Sequence, residues 1–234
     1  YELLPGLRMI DLTLRHLQQA GSEGLDFRVV TVVNPRTTAV FDYVKNNLNG
    51  CDVKMCFYNE RYREWPGSVY SANSFFGDFN LVLLPDSLIS LCPESHYSTG
   101  NGDCLLRMMW NGLCRNPVHF MVVPDRTFRL KKLGAVRVEK GKLEALGDKP
   151  DGDISEYNGF WTAYGFRRQY GQDLYVYQDA TVAKVSPPFH LNRLGPPGAG
   201  FVYAYRDLGT WEDIADFRRQ YPSRKAWFSE QEPG

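Results

Sequence analysis

The sequence lacks features that would assign it to one of several broad classes. It has no excess of charge, because 27 Lys and Arg residues balance 27 Asp and Glu residues. No global field therefore favours nucleic acid, a membrane surface or an acidic substrate. It has no apolar run of about 18 residues, the length of a membrane span, and no recognisable signal peptide. We expect a cytoplasmic protein that binds neither nucleic acid nor membrane.

The cysteines and histidines do not form the sequence patterns typical of disulfide frameworks or of thiolate and imidazole metal sites. The five cysteines are odd in number and contain no Cys-x-x-Cys pair. This favours free thiols in a reducing compartment over a disulfide framework or a zinc site. Cys56 and Cys104 are expected to be small apolar core residues. His16 lies on a predicted helix among apolar neighbours, which is typical of a partly exposed packing residue and not of a catalytic base.

The first half of the chain contains alternating strand and helix patterns. Residues 27–33 and 53–58 are short, apolar and rich in β-branched residues, and segment 34–50 between them has helical features. A short helix over 67–77 and a strand at "NLVLL" follow. This alternation predicts a mostly parallel sheet with helices on both faces.

The second half is richer in predicted strands and contains one glycine-rich stretch. A turn at Lys140-Gly141 joins two strands, and "FVYAYRDLGT" predicts another strand before a final helix. The stretch "GPPGAG" (195–200) predicts a loop, and it lacks the Gly-Lys-Ser/Thr ending of a phosphate-binding loop. With 234 residues and 43% hydrophobic content, we expect one domain over residues 1–234.

Three predicted strands end in acidic residues. Asp86 follows "NLVLLP", Asp148 and Lys149 stand in "LEALGDKP", and Asp207 stands in "YAYRDLGT". The carboxyl ends of strands in open α/β sheets are where ligands bind, and two converging carboxylates suit Mg²⁺. Each acid also has a purely structural explanation: Asp86 as a turn cap, Asp207 as a helix cap, and 148–150 as a polar turn.

These acids occur in an order that resembles the sugar-1-phosphate nucleotidyltransferases, also called nucleotide-sugar pyrophosphorylases. The resemblance spans nearly the whole chain. It is carried by five segments in the family's order: "YELLPGLRMIDLTLRHLQQAG", "WPGSVYSANSFFGDFNLVLLPDSLI", "KLGAVRVEKGKLEALGDKP", "SEYNGFWTAYGFR" and "YRDLGTWEDIADFRRQY".

The resemblance implies a fold, a reaction and a metal. The fold would be a Rossmann-like, GT-A-like nucleotidyltransferase with a mixed, mostly parallel sheet flanked by helices. The reaction would transfer a nucleotidyl group from an NTP to a sugar-1-phosphate and release pyrophosphate. Asp86 and Asp207 would hold the catalytic Mg²⁺, and Lys149 would contact the sugar-phosphate end. Many relatives form oligomers, so a homo-oligomer is left open.

The resemblance also implies substrate-binding residues. Asp148 would meet the sugar hydroxyls, and the backbone of Gly134 would approach the sugar closely. Gly67 and Ser68 would lie against the base and ribose at the start of their helix. Two further residues would shape the sugar pocket: Glu156 and Trp161.

The sequence departs from the family pattern at several of these positions. The family's glycine-rich loop would lie just before Tyr1 and is not visible. Pro66 offers no side-chain hydrogen bond to a base. Glu156 stands where Asn is common, Trp161 near where small or polar residues are usual, and Asp148 in place of Glu.

Two alternatives to the nucleotidyltransferase remain, and the departures favour the first. A non-catalytic subunit could keep the fold for binding or regulation and lose the chemistry. A glycosyltransferase of the related nucleotide-diphosphate-sugar fold would want an Asp-x-Asp motif at Asp86, and the "PDS" found there counts against it.

Overall fold

The structure contains twelve strands and six helices in the part of the chain that it describes. A computed structural model describes residues 2–62, 64–91 and 104–221. The strands are β1 (Glu2–Leu4), β2 (Leu7–Arg8), β3 (Arg28–Val33), β4 (Asp52–Phe57), β5 (Phe79–Leu83), β6 (Ser87–Ser90), β7 (Val118–Pro124), β8 (Gly134–Glu139), β9 (Lys142–Asp148), β10 (Gly159–Arg167), β11 (Gly198–Phe201) and β12 (Ala204–Asp207). The helices are α1 (Met9–Ser22), α2 (Thr38–Asn47), α3 (Glu64–Ser71), α4 (Leu105–Arg115), α5 (Gly171–Val182) and α6 (Trp211–Gln220).

A mixed sheet of six strands, in the order β5-β10-β7-β11-β9-β8, forms the centre of the fold. Strand β10 also pairs with β8, so five of these strands close into a small barrel. β7 occupies one edge of β10, and β5 and β8 share the other: Ala163 is opposite Leu83, and Phe160 is opposite Ala135. The end of β5 and the start of β8 therefore meet beside Trp161.

The mixed α/β class is confirmed, but the expectation of a mostly parallel sheet is wrong. Among the described strands of the central sheet, only β7 and β11 pair in parallel. The parallel pair β3–β4 is separate from that sheet. The cause is β10, which comes from the second half of the chain and lies between β5 and β7, antiparallel to both. Local alternation in a sequence does not reveal such an insertion.

Helices cover both faces of the central sheet. Leu105, Met109 and Leu113 recur at four-residue spacing on α4 and are fully buried, which is the pattern of a helix with one apolar face. Together α1 and α4 cover one face. Helices α3 and α5 cover the other, where Leu174 and the side chain of Tyr164 belong to one buried cluster.

A smaller core brings the two ends of the described chain together. Leu3 of β1, Leu88 of β6 and Phe217 of α6 are all buried in it. The Arg218 guanidinium donates to the Leu3 carbonyl at 2.8 Å. Thr210 and Asp213 form a capping box that starts α6. These contacts fix the ends of β6 and β12, where two of the predicted site residues lie.

Of the remaining secondary-structure predictions, one turn is confirmed, two segments differ in part, and one helix was missed. The turn at Lys140-Gly141 is confirmed, with positive φ at both residues, as two-residue hairpin turns of this kind require. "GPPGAG" is only partly a loop, because 198–200 belong to β11, and "FVYAYRDLGT" contributes to two strands, β11 and β12. Helix α5 was not predicted, because its aromatic and β-branched residues give no clear helical stripe.

The described cysteines are free thiols, and Cys56 and Cys104 are buried as expected. Cys92 lies outside the described residues. No described helix has the length and apolar character needed to cross a membrane.

Burial shifts the pKa of two described histidines, one buried and one half-buried, below the ordinary value. His119 of β7 is 7% exposed, and it packs so tightly on Gly112 that an added Cβ would lie 2.2 Å from its ring. Burial lowers the pKa of His119 to about 4, and the charge of Arg115 adds to this. Burial also lowers the pKa of His16 to about 4, which agrees with a packing role for that residue.

Acidification should therefore destabilise the fold through these histidines. Their folded-state pKa values lie below the unfolded value, so their contribution is fully present above about pH 6.5 and is lost as the pH falls towards 4. Between pH 7.5 and 5.5, each should cost about 1.4 kcal/mol in free energy of unfolding. Urea unfolding at both values measures this loss. His119→Gln should reduce it, the exposed His190→Gln should not, and equal pH dependence in both variants would contradict the assignment.

Candidate active site

Asp86 and Asp207 converge at the ends of two different strands. Asp86 follows β5, and Asp207 ends β12, where it is opposite Ser87 in an antiparallel pair. The Leu208 N–H donates to the Asp86 carbonyl at 2.9 Å. A Cβ placed on Gly209 would lie 3.0 Å from one oxygen of Asp207 and 3.5 Å from one of Asp86. One oxygen of each side chain therefore lies near Gly209, whose N–H donates to Asp207 Oδ1 at 2.9 Å.

The two acids have no ion-pair partner among the described residues. Burial raises the pKa of Asp86, its own backbone N–H opposes the rise, and the neighbouring Asp207 charge adds to it. Burial also raises the pKa of Tyr205, the charges of Asp207 and Asp86 add to that rise, and the hydrogen bond with Ser87 and the charge of Arg129 oppose it. Within the described ranges, neither acid forms an ion pair. A bound cation would relieve this accumulation of charge.

The donor set fits one metal type better than others. Within residues 2–62, 64–91 and 104–221, no group of three or more His, Cys, Asp or Glu side chains could hold a metal. Mg²⁺ is commonly held by one or two carboxylates, with waters and substrate phosphates completing its octahedral shell. Asp86 and Asp207 meet this requirement, whereas a structural zinc site would need four protein ligands.

Gly134, Asp148 and Lys149 lie together beside Trp161. Gly134 is opposite Asp148 where β8 and β9 pair, and the Lys149 N–H donates to the Leu133 carbonyl at 3.1 Å. The space that a side chain on Gly134 would need is filled by the Trp161 indole, whose Nε1 would lie 1.9 Å from an added Cβ. Gly134 is therefore required by the packing of Trp161, whatever else its backbone contacts.

Gly67 and Ser68 are placed differently from the sequence expectation. Helix α3 begins at Glu64, which has φ of 55°, so the two residues lie inside the helix and not at its start. Gly67 is buried against Tyr62, where an added Cβ would lie 2.6 Å from that side chain. The helix still borders the site, because the rings of Trp65 and Trp161 lie 4.9 Å apart.

Glu156 is exposed and pairs with a neighbouring strand. Its carboxylate lies 3.5 Å from the Arg137 guanidinium. An exposed pair of this kind contributes little to stability. Its assignment to a sugar pocket stays a prediction.

Tyr205 and Ser87 belong to the site and were not predicted. The two hydroxyls lie 3.3 Å apart, beside both carboxylates. The available signal was the spacing, since Tyr205 and Asp207 alternate on one short strand and so point to the same face. The neighbours of Ser87 become apparent only when β6 pairs with β12.

Solved structures with the same architecture are numerous. A UDP-glucose pyrophosphorylase from Acinetobacter baumannii matches with a TM-score of 0.67 and 15% identity over 95% of this chain and 86% of that one. A UDP-glucose pyrophosphorylase complexed with UDP-glucose matches with a TM-score of 0.66 and 12% identity, over 92% of this chain and 87% of that one. The fold is that of the sugar-1-phosphate nucleotidyltransferases.

The nucleotidyltransferase resemblance expected from the sequence is confirmed as a likeness of fold. A further match is a structure described as a glucose-1-phosphate thymidylyltransferase from Bacillus anthracis in complex with sucrose. Its TM-score is 0.62 at 12% identity, and the match covers 97% of this chain and 83% of that one. No family model and no curated protein matches the sequence. At such low identity, the nucleotidyltransferase likeness establishes the fold alone.

Removing one of the two carboxylate charges should stabilise the protein in the absence of divalent cations. We expect Asp86→Asn to raise Tm by about 2–4 °C, which corresponds to about 1 kcal/mol in a domain of this size. Mg²⁺ should raise the Tm of the wild type and have little effect on the variant. Thermal unfolding across a MgCl₂ titration measures both effects. The exposed Asp26→Asn is the control, and an equal response of both variants to Mg²⁺ would contradict the site.

The packing of Trp161 on Gly134 can be tested by filling the space between them. Gly134→Ala should lower the free energy of unfolding by about 1–3 kcal/mol, the usual cost of overpacking. Gly152→Ala is the matched control, because an added Cβ there meets nothing within 4 Å. The cost should shrink in a Trp161→Phe background. Urea unfolding of the four variants decides, and a similar cost in both backgrounds would show that the clash is not with the indole.

Proposed function

We propose that this protein is a Mg²⁺-dependent sugar-1-phosphate nucleotidyltransferase. An oxygen of the sugar-1-phosphate would attack the α-phosphorus of an NTP in line, and the bond from that phosphorus to the β-phosphate oxygen would break. The products would be a nucleotide-sugar and pyrophosphate. The observation that carries the proposal is the pair of converging, unneutralised carboxylates Asp86 and Asp207 on a fold that such enzymes use.

The two carboxylates would hold the metal at the strand ends. Because Asp86 directly precedes β6 and Asp207 ends β12, their spacing would be set by the pairing of these two strands and not by side-chain flexibility. When bound, Mg²⁺ supplies charge neutralisation at the phosphate oxygens. No protein nucleophile is required, because the sugar phosphate itself attacks.

Lys149 would neutralise the sugar phosphate as a point charge. It is exposed at the end of β9, next to Gly134 and Trp161. The partly buried Trp65 and the buried Trp161 would form an apolar wall on which a flat sugar face or a base can pack. Catalysis in such a site depends on positioning and charge, so the fixed geometry of the strand ends is the protein's main contribution.

A non-catalytic subunit of the same fold is the alternative, and one observation favours it. The Trp161 indole fills the space beside Gly134, where the family resemblance implied a close approach of the sugar. A site narrowed in this way could bind a nucleotide or a sugar phosphate without turning it over.

Pyrophosphate release from full-length protein tests the proposal. The assay combines Mg²⁺, each NTP and dTTP in turn, and a panel of sugar-1-phosphates. Release should require both substrates and Mg²⁺. Asp86→Asn and Asp207→Asn should each lower kcat/KM by about 10²-fold or more, which is the scale for removing one group that stabilises the transition state.

The controls separate catalysis from folding and binding. Asp26→Asn changes an exposed acid outside the site and should retain full activity. Isothermal titration with each substrate reports binding in the absence of turnover. Folded protein that binds an NTP or a sugar phosphate but releases no pyrophosphate with any pair would support the non-catalytic alternative and overturn the enzyme.

A further inference from the structure

Lys149 has a backbone conformation that its sequence context disfavours. Its φ is 42°, in the left-handed region that non-glycine residues rarely adopt. It also precedes Pro150, and the residue before a proline is normally driven to extended conformations. Strained residues of this kind persist only when the surroundings hold them, and they are concentrated at functional sites.

One side chain holds this conformation from outside the loop. The Lys184 ammonium, on the segment that follows α5, donates to the carbonyls of both Asp148 and Lys149, the latter at 2.5 Å. In an extended strand, successive carbonyls point in opposite directions. These two converge on one cation because the chain turns at Lys149. The Asp151 carboxylate lies 4.0 Å from the same ammonium.

Lys184 itself occupies a position where glycine is usual. Helix α5 ends in a Schellman motif, because the Lys184 N–H donates to Thr181 at 3.2 Å and the Val185 N–H donates to Ala180 at 3.0 Å. Lys184 has φ of 58°, and glycine adopts such values without a steric penalty. Lysine at this position is less favourable than glycine for ending the helix. Its side chain, however, reaches the loop that contains Lys149.

We propose that Lys184 is a positioning residue, which acts by fixing the loop from Asp148 to Asp151 so that the Lys149 ammonium is held towards the bound phosphate. The inference rests on the proposed function for its catalytic consequence. Its structural part, that Lys184 restrains this loop, stands independently.

Lys184→Gly separates positioning from stability, because glycine suits the helix end. The urea midpoint should stay equal or rise, while kcat/KM for pyrophosphate formation should fall by about 10- to 100-fold, the scale of a small misplacement of a reacting group. Lys140→Gly is the matched control: Lys140 also has positive φ, at 50°, and is exposed in a hairpin turn. Its urea midpoint should change in the same direction without loss of activity.

A double-mutant cycle tests whether Lys184 acts through Lys149. In a Lys149→Met background, Lys184→Gly should cause little further loss of kcat/KM, since coupled residues are non-additive. Losses that multiply independently would overturn the proposal. Lys184→Arg should restore part of the activity, because its guanidinium can donate to the same carbonyls.

Amide hydrogen exchange distinguishes failure of this inference from failure of the proposed function. In Lys184→Gly, the amide of Lys149, which donates to the Leu133 carbonyl, should exchange faster than in the wild type, while those of β10 should not change. Unchanged exchange in the loop overturns the positioning role whether or not the protein is active. If exchange is faster in Lys184→Gly but the wild type shows no turnover, the restraint by Lys184 is retained and the enzymatic function is rejected.

Discussion

The pairing of β6 with β12 is the constraint on which the candidate site depends. It brings residues more than a hundred positions apart into register, with Asp207 opposite Ser87. The hydrogen bond from Leu208 to the Asp86 carbonyl then fixes the second acid against the first. Without this short ladder, the two carboxylates would relax apart, because like charges in a partly buried site repel each other.

This pairing is maintained against electrostatic cost by apolar packing. Leu88 belongs to β6 and Leu208 directly follows β12. Both are buried with Phe217 in one cluster. Their burial favours the fold by an amount that grows with apolar area, about 25 cal/mol per Å². Hydrophobic contacts therefore hold these two acids close together without an ion pair between either acid and a described basic residue, which supports the proposed cation site.

Local patterns in the sequence predicted the parts of the fold that depend on local chemistry. The β-branched run 28–33, the turn at Lys140-Gly141 and the acids after β5 and β9 could all be located from the sequence. The antiparallel insertion of β10, the closure of the barrel and the start of α3 at Glu64 could not. The first two depend on contacts between residues distant in the sequence, and the third depends on one strained residue. Such causes leave no periodic signal in the sequence.

The two ends of the candidate site carry opposite charges. Asp86 and Asp207 place negative charge at the ends of β5 and β12, whereas Lys149 places positive charge at the end of β9. Strand β5, which precedes Asp86, and strand β8, which begins at Gly134, share one edge of β10, the strand that carries Trp161. In the proposed function, a substrate with one metal-binding phosphate and one phosphate that lacks a metal would satisfy both ends in only one orientation. On this proposal, the strand order would determine which end of the site takes which phosphate.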